Sequence, residues 1–117
     1  MAERRQARVA HQIQAVLARL LVEEAGDAAL REITISTVRV SPDLGVARVY
    51  VRSLAIVPDP AATVAALTRA APFLRRQVGH ALGLRGTPEL RFAYDDLPDA
   101  ARRIDALLHG RAEDEPE

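Results

Sequence analysis

The 117-residue sequence predicts a single α+β domain in which helices cover one face of a three-stranded sheet. Three observations predict this fold. The N-terminal stretch has apolar residues at helical spacing, residues 33–53 hold two β-branched runs around a turn, and a proline-centred helical stretch precedes a third alternating run. The predicted order is therefore α-β-β-α-kink-α-β, followed by a short C-terminal helix. We assign residues 1–110 to the domain and predict a disordered acidic tail at residues 111–117.

The first predicted element is a long amphipathic helix over residues 2–25. Its apolar stripe recurs at the spacing of one helical face and comprises Val9, Ile13, Val16, Leu17, Leu20 and Leu21. The polar side of its amino end carries Arg4, Arg5 and Arg8. An arginine-rich helix face is most often simply solvated, and it indicates a binding surface only when a second basic surface lies beside it.

The two β-branched runs, residues 33–41 and 46–53, predict an antiparallel hairpin around a Pro-Asp-Leu-Gly turn. The first strand changes phase, because its apolar residues switch parity between Ile35 and Val38. A β-bulge near Ser36 would keep both sets on the buried face. The outer face of the second strand carries Arg48, Tyr50 and Arg52. This face is either a solvated surface or a basic surface that contacts nucleic acid.

Residues 61–84 predict two short helices that meet at Ala70, Ala71 and Pro72. Proline lacks the N–H that a helix interior uses, and it disfavours the α conformation in the residue before it, so one straight helix is not expected. Gly79 is predicted on the outward face, where a partner's backbone could approach it. The exposed sides of the pair and the segment after it carry four arginines: Arg69, Arg75, Arg76 and Arg85. Residues 88–94 then predict the third strand, and residues 97–109 the last helix.

Composition excludes several classes of protein. Without cysteine there are no disulfides and no thiolate nucleophiles. No apolar run approaches the roughly 20 residues of a membrane span, and the charged amino end has no apolar core behind it, so we expect a cytoplasmic protein. All 16 basic residues are arginine, balanced by 16 acidic ones. Residues 112–117 hold four of those acids and no base, which leaves residues 1–111 with a net charge of +4.

No group of residues favours catalysis or a cofactor. The histidines at 11, 80 and 109 lack metal-ligand spacing, and no serine has a nucleophile setting. An acidic cluster could in principle hold Mg²⁺, although acids at a helix start explain it better: Asp95, Asp96 and Asp99. We therefore predict that the protein is not an enzyme and holds no cofactor or metal.

The order α-β-β-α-α-β resembles that of the bacterial-type (type II) KH domain, whose Gly-x-x-Gly loop between two helices clamps a nucleic-acid backbone. In this chain Ala70, Ala71 and Pro72 occupy the place of that loop. The letters Gly83-Leu84-Arg85-Gly86 match the motif, but a strand follows them. The chain is thus similar to a KH variant in which a kink replaces the clamp.

The resemblance becomes specific when short stretches are compared. Those that resemble the ribosome-binding factor A family are Arg8-Val9, Gln12-Ile13, Leu20-Leu21, Val38-Arg39-Val40-Ser41-Pro42-Asp43-Leu44, Ala47-Arg48-Val49-Tyr50-Val51, Phe73-Leu74-Arg75, Leu84-Arg85, Pro88-Glu89-Leu90 and Phe92. The resemblance extends over about residues 4–108. In that family the two helices meet at an Ala-x-Gly kink, which corresponds to Ala70, Ala71 and Pro72.

The resemblance implies a non-enzymatic factor that binds the free small (30S) ribosomal subunit and its 16S ribosomal RNA late in maturation and is needed most at low temperature. We expect a monomer. For phosphate contacts we nominate Arg4, Arg5, Arg8, Arg69, Arg75, Arg76 and Arg85. Two alternatives remain open. One is a general KH-like RNA-binding protein without ribosome specificity, and the other is a structural module that self-associates through a strand edge or through its outer sheet face.

Overall fold

The computed structural model describes residues 2–23 and 28–96. In chain order its elements are α1 (Ala2–Glu23), a 3₁₀ turn (Ala28–Glu32), β1 (Ile33–Val40), β2 (Val46–Ser53), α2 (Pro60–Leu82) and β3 (Glu89–Tyr94). The predicted C-terminal helix and the acidic tail, with Asp99 and His109, lie outside the described residues.

The three strands form one sheet in the order β1-β2-β3, with β1 antiparallel to β2 and β2 parallel to β3. The register of the first pair shifts between Ile35 and Thr37. This shift pairs Ile35 with Val51 and Val38 with Val49, so both sets of apolar residues face the same side. The bulge predicted from the change of phase is confirmed.

Both helices pack on one face of the sheet, α1 over β1 and α2 over β3. Their apolar stripes meet the inward residues of the strands in a single core. Six of the most enclosed side chains are Ile13, Leu17, Val49, Leu67, Leu74 and Val78. The predicted α+β class is therefore confirmed, with two α-helices and three strands in the described part of the chain.

The predicted pair of short helices was wrong, because α2 is one continuous helix with Pro72 in its interior. Pro72 has no N–H for the carbonyl of Thr68 four residues earlier, and a proline inside a helix costs about 3 kcal/mol. A continuous helix keeps Leu67 and Leu74 on one buried face, and each such burial contributes about 1.5–3 kcal/mol. Tertiary packing thus outweighs local propensity. The three predicted kink residues, Ala70, Ala71 and Pro72, all lie within the helix.

The ends of α2 follow ordinary capping rules. The Asp59 carboxylate accepts a hydrogen bond of 3.1 Å from the N–H of Ala62, and Pro60 takes the first helical position. Gly83 ends the helix at φ +62, a conformation that glycine adopts without strain. Gly79 does not face outward for a partner as predicted, because a Cβ there would meet the Thr87 side chain of the chain's own next segment.

Replacing Pro72 tests the continuous helix. We expect Pro72→Ala to stabilise the protein by up to about 3 kcal/mol, because alanine restores the missing N–H and the exposed ring makes few contacts to lose. Pro72→Gly should also fold, but about 1 kcal/mol less stably than Pro72→Ala. Urea unfolding of the two variants beside the wild type measures both differences. An alanine variant less stable than the wild type would mean that packing depends on the proline.

Candidate nucleic-acid interface

The fold brings the start of α1 and the end of α2 to the same end of the sheet. Gln6 donates to the Val40 carbonyl and Gln14 to the Ile35 carbonyl, so α1 runs antiparallel to β1. β2 then runs back alongside β1, and α2 must return along the sheet to reach the start of β3, the parallel neighbour of β2. The β1–β2 turn lies at this end as well, where the Gly45 carbonyl accepts the N–H of Glu89.

Six exposed arginines lie at this end of the sheet, which we call the basic end. Three are on α1, two are near the end of α2 and one is in the loop that follows: Arg4, Arg5, Arg8, Arg75, Arg76 and Arg85. The seventh predicted residue, Arg69, is also exposed but lies two helical turns before Arg76. The helix patterns predicted the exposure of the helical arginines, and the strand register explains why they gather with Arg85.

Arg75 differs from the other arginines of the basic end, because its guanidinium is engaged within the protein. Nε and Nη2 of Arg75 donate to the Thr87 carbonyl at 3.1 and 2.7 Å. These bonds tie α2 to the segment that leads into β3. A guanidinium has five N–H groups, so three remain for a phosphate. Arg75 thus positions the loop as well as adding charge.

The β1–β2 turn stiffens the basic end through a small hydrogen-bond network. The Ser41 hydroxyl donates to the Asp43 carboxylate at 2.7 Å and accepts from the N–H groups of Gly45 and Val46 at 3.1 and 3.0 Å. Asp43 also accepts from Gly45 at 2.9 Å. Leu44 has φ +61, a left-handed conformation that is uncommon outside glycine, and it packs against the core. The turn is therefore held in one shape.

Two carboxylates near the basic end are held ionised by their neighbours. The hydrogen bond from the Ser41 hydroxyl, helped by that from Gly45, lowers the pKa of Asp43. The hydrogen bond and charge of Arg91, with a smaller effect of Arg75, lower the pKa of Glu89. Arg91 meets Glu89 through Nε at 3.2 Å. Each of these two carboxylates thus already accepts hydrogen bonds from neighbouring donors.

A row of arginines also crosses the outer sheet face. Arg39 lies opposite Arg48, and Arg48 lies beside Arg91 on the other neighbouring strand. Tyr50 and Arg52 follow along β2 on the same face, as the alternation predicted. Sequence inspection missed Arg39 and Arg91 as members of this face, because only the pairing register places them beside Arg48.

The histidines and acids considered for a metal site differ in exposure and form no common site among the described residues. His11 and His80 are exposed, whereas Asp95 is buried and Asp96 exposed. Among residues 2–23 and 28–96, no group of three or more histidines and acids is placed to hold a metal ion. Neither of the two helices described for the chain is long and apolar enough to cross a membrane.

Comparison with known proteins assigns the family. A family model of ribosome-binding factor A matches residues 5–108. The chain belongs to the ribosome-binding factor A family. Ribosome-binding factor A from Nitrosococcus oceani is 42% identical over 101 residues, which are 86% of this chain and 80% of that relative. The family predicted from short sequence stretches is confirmed.

Solved structures of ribosome-binding factor A have the same fold. The crystal structure of the Thermus thermophilus protein is 27% identical with a TM-score of 0.68, over 76% of this chain and 93% of that one. A homology model of the Thermus thermophilus protein, fitted into a cryo-EM map of a complex of 30S with ribosome-binding factor A, is 29% identical with a TM-score of 0.61. That match covers 81% of this chain and 96% of the other. The KH-like fold prediction agrees with these neighbours.

The two adjacent arginines near the end of α2 should respond differently to substitution. We expect Arg75→Ala to lower the free energy of unfolding by at most about 1 kcal/mol, because the exposed bonds to the Thr87 carbonyl are lost. Arg76→Ala should leave stability unchanged within about 0.5 kcal/mol, as surface substitutions usually do. Thermal and urea unfolding measure both variants. Equal stability of the two would show that the Thr87 bonds do not hold the loop.

Proposed function

We propose that this protein is a non-catalytic, cytoplasmic factor that binds the free small ribosomal subunit during late maturation and contacts its 16S ribosomal RNA. Family membership and the 30S complex of a relative support the choice of partner. The single structural observation that carries the proposal is the basic end, where two helices and a loop present six exposed arginines together.

The chemistry of the basic end suits an RNA backbone. Arginine is always charged and its planar N–H groups match phosphate oxygens, so each exposed arginine can neutralise one phosphate. Such contacts position a protein but carry no sequence information. Preference for one subunit must therefore come from the shape of the RNA that receives the basic end. Closure of that RNA site during maturation would release the protein. The protein binds only the open state of the RNA, so its affinity is lost when the closed state forms.

A general KH-like RNA-binding protein is the second candidate, favoured by the arginine row on the outer sheet face. A protein of that kind would bind unrelated single strands and both subunits alike, since phosphate is abundant everywhere. Self-association is less favoured, because Gln6 and Gln14 cover carbonyl groups on the outer edge of β1 and hinder strand addition there. We therefore propose that the protein acts as a monomer.

Sedimentation of a cell extract tests the choice of partner. We expect the protein to travel with free small subunits and their precursors, and not with large subunits or translating ribosomes. Loss of the gene should allow precursor 16S RNA to accumulate, more so in the cold, where misfolded RNA rearranges slowly. An even distribution over all ribosomal fractions would favour the general RNA-binding protein instead.

Salt dependence tests the basic end itself. We expect Arg8→Ala and Arg76→Ala, alone and combined, to weaken binding to purified small subunits. Each lost phosphate contact should reduce the slope of log affinity against log salt by roughly 0.7–0.9. Arg31→Ala is the matched control, because Arg31 is equally exposed but lies before β1, at the opposite end of the sheet. If Arg31→Ala changed the slope as much as the other variants, the basic end would not be the contact surface.

A further inference from the structure

A groove separates α1 from the edge strand β1. Two hydrogen bonds hold its walls together, from Gln6 to the Val40 carbonyl at 2.8 Å and from Gln14 to the Ile35 carbonyl at 3.3 Å. The two glutamines are eight residues apart, about 12 Å along the helix. Between them the helix presents alanines at positions 7 and 10, whose small side chains leave the space open.

The size of this α1–β1 groove limits what it can hold. Its volume is about 230 Å³, and it is lined by Gln6, Ala7, Ala10, His11 and Gln14 of α1 and by residues 37–40 of β1. Pockets for drug-sized ligands begin at about 300 Å³. The groove therefore suits one flat group the size of a nucleobase.

The groove walls carry groups that bind such a base. His11 on the helix has a planar side chain, and unstacked RNA bases stack on histidine rings. The strand also offers backbone groups. The N–H of Ser41 bonds to the Val46 carbonyl of β2, so the alternation of the strand points the backbone groups of Val38 and Val40 toward the outer edge. The Val40 carbonyl accepts from Gln6, and the backbone groups of Val38 can pair with the polar edge of a base.

The charge at the rim selects an anionic ligand. Arg4, Arg8 and His11 follow one another at spacings of four and three residues, so they share one exposed side of α1. A phosphate attached to a base in the groove would reach this rim. A slot beside an imidazole ring fits a base with its phosphate better than it fits the carboxylate of an acidic peptide.

We propose that the α1–β1 groove binds one unstacked nucleotide of single-stranded RNA, with its base against the His11 ring and its phosphate against Arg4 and Arg8. This inference rests on the proposed function, because it gives the basic end a site for a splayed-out nucleotide. It locates base recognition on the α1 side of the domain, away from the α2–β3 side.

Filling the groove tests the site without changing any charge. Ala7 is exposed on the groove wall, so Ala7→Leu fills the slot without overpacking the core. We expect its affinity for a ten-nucleotide single-stranded RNA at low salt to fall about fivefold or more, as the loss of one stacked base requires. The salt slope should stay unchanged, because the phosphate contacts remain. Ala15→Leu, also exposed on α1 but outside the groove lining, is the matched control and should bind like the wild type.

Two further variants test stacking on the imidazole ring. His11→Ala removes the planar group, and His11→Phe keeps one. His11→Ala should weaken binding in the same direction as Ala7→Leu, and His11→Phe should bind close to the wild type. A 2-aminopurine placed in the RNA should change its fluorescence on binding to the wild type, and it should change less with Ala7→Leu.

The outcomes distinguish this inference from the proposed function. If the wild type binds RNA and Ala7→Leu binds equally well, the groove proposal is overturned while the proposed function stands. The same holds if the wild type binds small subunits but no single-stranded oligonucleotide. A poly-glutamate peptide that binds the wild type, fails to bind Ala7→Leu and does not compete with RNA would assign the groove to a protein ligand. Failure to bind either RNA or small subunits would overturn the proposed function itself.

Discussion

The parallel pairing of β2 with β3 is the constraint on which the rest of the structure depends. Two parallel neighbours require the chain to travel back along the whole sheet before the second strand can begin. An eight-residue strand spans about 26 Å, and the 23 residues of α2 span about 34 Å. A helix that continues through Pro72 covers this distance and buries both of its halves against one core. The same return path carries the arginines near the end of α2 to the amino end of α1.

Sequence patterns predicted the elements that are decided locally. The phase change in β1 can be repaired only by an extra residue, so the bulge followed from parity alone. The α1 stripe likewise predicted which side of the helix is buried. Pro72 was misread because its local cost is visible in the sequence, whereas the offsetting burial of Leu67 and Leu74 depends on the crossover.

The candidate site was predictable in its residues but not in its arrangement. Exposure of the predicted arginines follows from helical periodicity, yet their gathering at one end depends on strand order. The bonds of Arg75 to Thr87 join residues that are twelve positions apart and leave no sequence signal. The groove was equally invisible, because Gln6 and Gln14 look like ordinary polar helix residues until β1 lies beside them. The same two glutamines shield an edge strand and bond across the groove.

The net charge of zero does not oppose RNA binding, because charge acts locally in salt water. At physiological ionic strength the Debye length is about 8 Å, far shorter than the roughly 34 Å of α2. Exposed charges at opposite ends of the domain therefore hardly affect one another. The opposite end carries four largely exposed apolar side chains, Val22, Leu54, Ile56 and Val57. A phosphate near the basic end meets the arginines and the few acids beside it, and Asp43 and Glu89 already have donors of their own. The distribution of charge, and not its sum, determines which surface an RNA backbone approaches.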